Sequence, residues 1–217
     1  MTMMSMIKKY KWTLILTGIV TLSPILFGVL FWNQLPQEIP THFSGAGNTP
    51  DGWSSRPVAV FGLPAFLLGM EWFCLLVTAI DPKKKNISDK MIRIILWIIP
   101  VISVVVAVCI YGTVFGKKFD IGMQMNVLVG IVFIVLGNYL PKVKQNHSIG
   151  LRFPWTLNDS DNWNRTHRFG AWVFIVAGIA MCINGYFKST AALGVIITVT
   201  ITVPVLYSYI LYRKEQN

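Results

Sequence analysis

Charged side chains cut the chain into long apolar runs. Uncharged stretches cover residues 12–37, 94–116, 121–141, 169–187 and 189–212, and a sixth, 57–80, is interrupted only by Glu71. A helix needs roughly 20 mostly apolar residues to cross the hydrocarbon core of a bilayer. All six runs qualify once polar ends are allowed for. Inside lipid only helices and closed barrels satisfy their own backbone groups, and a barrel would show short alternating segments instead. The pattern predicts an all-α integral membrane protein with six transmembrane helices, forming a single membrane domain over residues 1–217. Lys8, Lys9 and Lys11 before the first run have the look of a signal peptide. A signal's apolar region is only about 7–15 residues long, and no small-x-small cleavage site follows Trp32, so this run is read as a permanent span.

Composition sharpens the picture. Of the 217 residues, 54% are hydrophobic and 13% charged, whereas a soluble domain carries about 25% charged residues. So little charge cannot cover a globular surface, which argues against a soluble enzyme, a disordered tail or a nucleic-acid-binding domain. The net charge of +10 instead fits cytoplasmic loops facing anionic lipids. With the N-terminus inside, all of the 19 Lys and Arg except Arg56, Lys117, Lys118 and Lys188 fall on the cytoplasmic side. The bias places both termini in the cytoplasm. Cys74, Cys109 and Cys182 lie in apolar runs and form no disulfide framework or metal-ligand spacing.

Two long loops remain, residues 33–56 outside and 142–168 inside. In the outer loop Pro36, Pro40, Pro50, Gly45, Gly47 and Gly52 exclude a long helix. Residues 37–43 suggest an extended segment, and Asp51-Gly52 reads as a turn. His42, Glu38 and Asp51 have no spacing that demands a metal, and none is assigned. In the inner loop Gly150 and Pro154 are expected to keep residues 149–155 non-helical. Asn158, Ser160 or Asp161 then offers an N-cap for a helix entering the fifth span, with Trp163 and His167 on one face. Two readings of this loop stay open. Trp155 and Trp163 can anchor an interfacial hook while Arg165 and Arg168 reach phosphates. Alternatively, Arg152, Trp155, Trp163, His167 and Arg168 build a docking site.

Residues 137–172, GNYLPKVKQNHSIGLRFPWTLNDSDNWNRTHRFGAW, closely resemble the signature of the SdpI family of bacterial membrane proteins. Residues 35–53, LPQEIPTHFSGAGNTPDGW, resemble the uncharacterised domain that commonly precedes it. The motif positions fall on Asn138, Pro141, Lys142, Asn146, Gly150, Arg152, Pro154, Trp155, Thr156, Trp163, Thr166, His167 and Arg168. Phe153 stands where a Thr is expected and Ala171 where a Gly is expected. The resemblance implies a six-span protein. The family's namesake protects a toxin-producing bacterium from its own secreted peptide toxin and is described as holding a transcriptional repressor at the membrane. Immunity to a peptide toxin is therefore the expected function, with His42, Phe43, Asp51 and Trp53 facing the toxin. Asn146, Arg152, Trp155, Trp163, His167 and Arg168, with Lys83, Lys84 and Lys85, would face a cytoplasmic repressor or anionic lipids. No cofactor is expected.

No hydrolase, zinc-protease, nucleotide-binding or dinucleotide motif is present, so the protein is not read as an enzyme. Glu71, deep in a span, supports an alternative, a small proton-coupled transporter or exporter. A charge there is costly and usually marks a pathway or partner. No Lys or Arg lies at matching depth, so Glu71 is expected to be protonated or bonded to a neutral polar group such as Ser103, Asn126 or Thr198. Asn33-Gln34-Leu35-Pro36 and Asn138-Tyr139-Leu140-Pro141 follow the first and fourth spans, which hints at an inverted 3+3 repeat.

Overall fold

The computed structural model describes residues 3–44, 49–117 and 120–216. Six helical segments are long and apolar enough to cross a membrane. They are built from α1 (Met3–Leu30), α2 (Leu63–Ile80, entered through a π-helical turn, Val58–Gly62), α3 (Asp89–Val114), α4 (Ile121–Tyr139), α6 (Ser160–Phe187) and α7 (Thr190–Gln216). Between them lie a hairpin, β1 (Glu38–Ser44) and β2 (Thr49–Ser55), and a short helix α5 (Pro154–Asn158). Large apolar side chains point outward: Trp12 is 73% exposed and Trp172 71%. A soluble protein would bury such groups, and here they meet lipid. The chain is a multi-pass membrane protein by this pattern.

The chain divides into two compact units, Met1–Ala79 with Ile92–Gly122, and Ile80–Met91 with Met123–Asn217. In the first unit, buried polar groups tie three helices together. Thr17 and Thr21 of α1 donate to the two carboxylate oxygens of Glu71 in α2. Ser103 of α3 donates to the Thr21 carbonyl at 2.8 Å. Of the neutral partners expected for Glu71, Ser103 bonds the Thr21 backbone instead, and Asn126 bonds Asn184. The Thr198 carbonyl accepts from Thr202. The threonines were missed because a Thr in an apolar helix normally returns its hydroxyl to its own backbone, as Thr17 also does to the Thr13 carbonyl.

The hairpin closes one end of this unit. Leu35 and Ile39 pack with Ala59, Val60, Ile110 and Tyr111. Arg56 latches the hairpin's base, its Nε donating to the Pro36 carbonyl at 3.1 Å and its guanidinium lying 5.1 Å from the Trp32 ring. Residues 38–44 are extended as expected, but Asp51-Gly52 is not the turn. It lies within β2, where Gly52 pairs with His42 beside two register shifts. A Cβ at Gly52 would come 2.9 Å from the His42 Cβ, so close cross-strand approach requires the glycine there. The connecting residues 45–48, with Gly45 and Gly47, lie outside the described residues, as does Lys118 of the charge count.

In the second unit α4 and α6 touch through glycines. A Cβ on Gly130 would lie 2.6 Å from the Gly178 carbonyl, and one on Gly178 would lie 2.5 Å from the Gly130 carbonyl. Small residues permit this backbone contact, the usual means of helix association in lipid. Asn184 Nδ2 donates to Asn126 Oδ1 at 3.1 Å across the same helix pair. Pro154 was expected to prevent a helix and instead begins one. It occupies the first turn of α5, where a missing N–H costs nothing. The cap of α6 is Asp159, which accepts from the Asp161 N–H at 2.8 Å, rather than Asn158, Ser160 or Asp161. Asn158 is already the last residue of α5, so the next side chain takes the role.

Candidate functional site

The inner-loop signature folds into a clamp within the second unit. Asn146 is fully buried. Its Oδ1 accepts from the Ser148 and Ile149 N–H groups at 2.9 and 2.7 Å, and its Nδ2 donates to the Lys144 carbonyl at 2.8 Å. One amide thus satisfies three backbone groups of a loop with no secondary structure to do so. Gln145 reaches the other way, its Nε2 donating to the Thr156 and Leu157 carbonyls of α5 at 3.0 and 2.9 Å.

Asp81 fastens this loop to the α2–α3 connection. It is buried and accepts from the Lys83 N–H at 2.7 Å, the His147 N–H at 2.8 Å and the Ser148 hydroxyl at 2.5 Å. Lys83 Nζ donates to Gln145 Oε1 at 2.7 Å, and Asn86 Nδ2 to the Gln145 carbonyl at 2.7 Å. Three donors converging on one buried carboxylate compensate its lost hydration.

The start of α6 supplies the clamp's floor. Trp163 is fully buried and donates from Nε1 to the Val143 carbonyl at 2.8 Å. His167 stacks on it with ring centroids 4.0 Å apart, as their spacing of four residues predicts. His167 Nε2 accepts from the Leu151 N–H at 3.0 Å, so Nδ1 carries the proton and donates to the Trp163 carbonyl at 2.8 Å. The imidazole is a neutral spacer held at both nitrogens. Gly150, at φ +117°, passes against it, and a Cβ there would overlap His167 Nε2. Asn162 Nδ2 donates to the Ser208 carbonyl at 3.0 Å, and Trp155 Nε1 to the Ser208 hydroxyl at 3.0 Å, which pins the clamp to α7.

The residues singled out from sequence therefore separate. Asn146, Trp163 and His167 are buried in the clamp. Trp155 is half-buried and stacks between Phe153 and Tyr212, with centroids 5.5 and 6.1 Å away. Arg152 is exposed and donates to the His147 carbonyl. Arg168 and Lys85 are exposed, and Lys83 and Lys84 are half-buried. The sequence pattern does not single out Asp81, Gln145 and Ser208. The signals were faint: an acid ending a span, an amide beside Asn146, and one hydroxyl in an apolar run.

On the hairpin, His42 Nδ1 and Asp51 Oδ1 lie 2.5 Å apart, with the two side chains 74% and 41% exposed. Trp53 is 56% exposed, and Phe43 is half-buried. Glu38 stands at the other end of the strand, opposite Ser55. Among the described residues no three His, Cys, Asp or Glu side chains gather as metal ligands.

The comparisons with known proteins agree with the two loop signatures. Residues 142–210 match the SdpI/YfhL protein family. Residues 19–68 match a domain of unknown function (DUF1648). The chain is 27% identical over 208 residues to the immunity protein SdpI of Bacillus subtilis (strain 168), covering 92% of this chain and 96% of the relative. No solved structure matches.

Proposed function

Taking the chain as a member of the SdpI/YfhL protein family, we propose that it is an immunity protein of the bacterial plasma membrane that gives resistance to a secreted peptide toxin. The observation that carries this reading is the similarity to an immunity protein over 92% of the chain. The protein acts by binding, without turnover. The charge bias puts both termini in the cytoplasm and the hairpin outside, where a toxin arrives. Exposed His42, Asp51 and Trp53, with Phe43 beside them, form the toxin-facing set.

The clamp then faces the cytoplasm. Its buried members hold the loop's shape, and its exposed cations, Arg152, Arg168 and Lys85, form the docking face. A cytoplasmic repressor with an acidic patch is captured there, and anionic lipid headgroups compete for the same cations. The cations serve loops and lipid, not nucleic acid.

Resistance, reporter expression and membrane protein amount measured in the same strains test this division. Arg152→Ala is expected to weaken repressor capture and leave resistance intact, and His42→Ala to do the reverse. Normal protein amount with both activities unchanged after Arg152→Ala would sink the docking face.

A second reading rests on Glu71, a single buried carboxyl between hydroxyls inside a span. Such a group can carry a proton in a small transporter. That reading requires the acid itself, so it predicts loss of resistance in Glu71→Gln at normal protein amount.

A further inference from the structure

The first unit holds a groove that the immunity reading does not use. It lies between α1 and α3, measures about 550 Å³, and is walled by Phe27, Phe31, Tyr111 and Phe115. Ala107 and Gly112 line it where larger side chains would fill it. Pro24 also borders it. A proline leaves the carbonyl four residues back without its helical donor, and the Ser23 hydroxyl supplies a replacement, donating to the Val20 carbonyl at 2.8 Å. The walls are fixed by ring packing: Phe27 lies 4.5 Å from Phe31 and 5.0 Å from Tyr111, and Phe31 lies 5.6 Å from Phe115.

The groove opens sideways. Its rim residues Phe27, Val108 and Phe115 are 38%, 50% and 37% exposed. In a spanning protein that side is occupied by lipid chains. Of its polar lining, the Ser23 hydroxyl is spent on the Val20 carbonyl, while Gln34 follows the end of α1 and Lys117 stands three residues beyond Val114, the last residue of α3. Both positions fall at the ends of spans, at headgroup depth. Lys117 is exposed. An apolar trench with Lys117 at its mouth is complementary in charge and polarity to an anionic amphiphile. Left empty, its aromatic walls would forfeit dispersion contacts on one side.

We propose that this groove holds an acyl chain of an anionic membrane phospholipid, with the headgroup phosphate bound by Lys117 and Gln34. Neither the hairpin's toxin-facing set nor the docking cations take part, so the proposal stands apart from the immunity reading. The test is lipid retention by the full-length protein purified in detergent, read by native mass spectrometry. Phosphatidylglycerol and phosphatidylcholine are offered in equal amounts. Wild type is expected to retain one phosphatidylglycerol in preference. Lys117→Gln should reduce that preference about fivefold, the effect of one lysine near an anionic headgroup. Val108→Trp should fill the groove and abolish retention of either lipid. Ile183→Trp, at an equally exposed site on α6, should change nothing. Retention unaffected by both groove variants would overturn the proposal. So would a dimer that Val108→Trp splits, because a second copy would then be the occupant.

Discussion

At the scale of single residues, the clamp rests on a few groups that accept or donate several bonds each. Asp81 takes three donors from two separate loops. Asp81→Ala would take the charged acceptor from two part-buried N–H groups and the Ser148 hydroxyl, at about 2–3 kcal/mol, and is expected to lower the thermal midpoint in detergent and the amount in membranes. Gly150 is constrained twice, by φ +117° and by His167 beneath it. Gly150→Ala should cost about 2 kcal/mol or more, while Arg152→Ala, at an exposed neighbour, should leave the midpoint within about a degree or two. Equal losses in the two variants would contradict the division into buried braces and exposed cations. Glu71→Gln keeps shape and hydrogen bonding to Thr17 and Thr21, so in a protein that works by binding it should retain both amount and resistance. Sequence showed Glu71 as the costly group but not its partners. Which hydroxyl it meets depends on how helices rotate against each other, and uniformly apolar spans carry almost no stripe to fix that rotation.

At the scale of elements, the six spans were legible because lipid demands length and continuous apolarity, and charges mark their ends. The extended arm at 38–44 was legible as well. The hairpin's second strand was not, since Asp51-Gly52 has turn chemistry and yet serves as a close crossing under His42. Signature residues could be found but not sorted, because Trp163 and His167 find partners in Val143 and Leu151, well back along the chain, and the loop around Asn146 is tied to Asp81 through His147 and Ser148. The hairpin carries its own prediction. Asp51→Asn removes the charge facing His42 at an exposed site, where an ion pair contributes about 0–1 kcal/mol. Protein amount should therefore hold, and resistance should fall if the pair shapes the toxin-facing set. A drop in amount matching the drop in resistance would make the pair a purely structural contact.

At the scale of the whole molecule, the charge bias predicts that the hairpin loop lies outside and the inner loop in the cytoplasm. Single cysteines at Gln37 and His147, both exposed, in a background without Cys74, Cys109 and Cys182, test that arrangement. Ser148 suits labelling poorly because it is half-buried and bonded to Asp81. An impermeant maleimide added to intact cells should label position 37 and spare 147, and the opposite pattern would invert the topology. The central claim is immunity, and the most direct measurement is survival. The gene is disrupted in the strain that encodes it, and the mutant is exposed to spent medium from its parent. The account predicts that the mutant is killed or stalled and that a plasmid copy restores growth. Equal growth of parent and mutant across a full range of medium concentrations would contradict it.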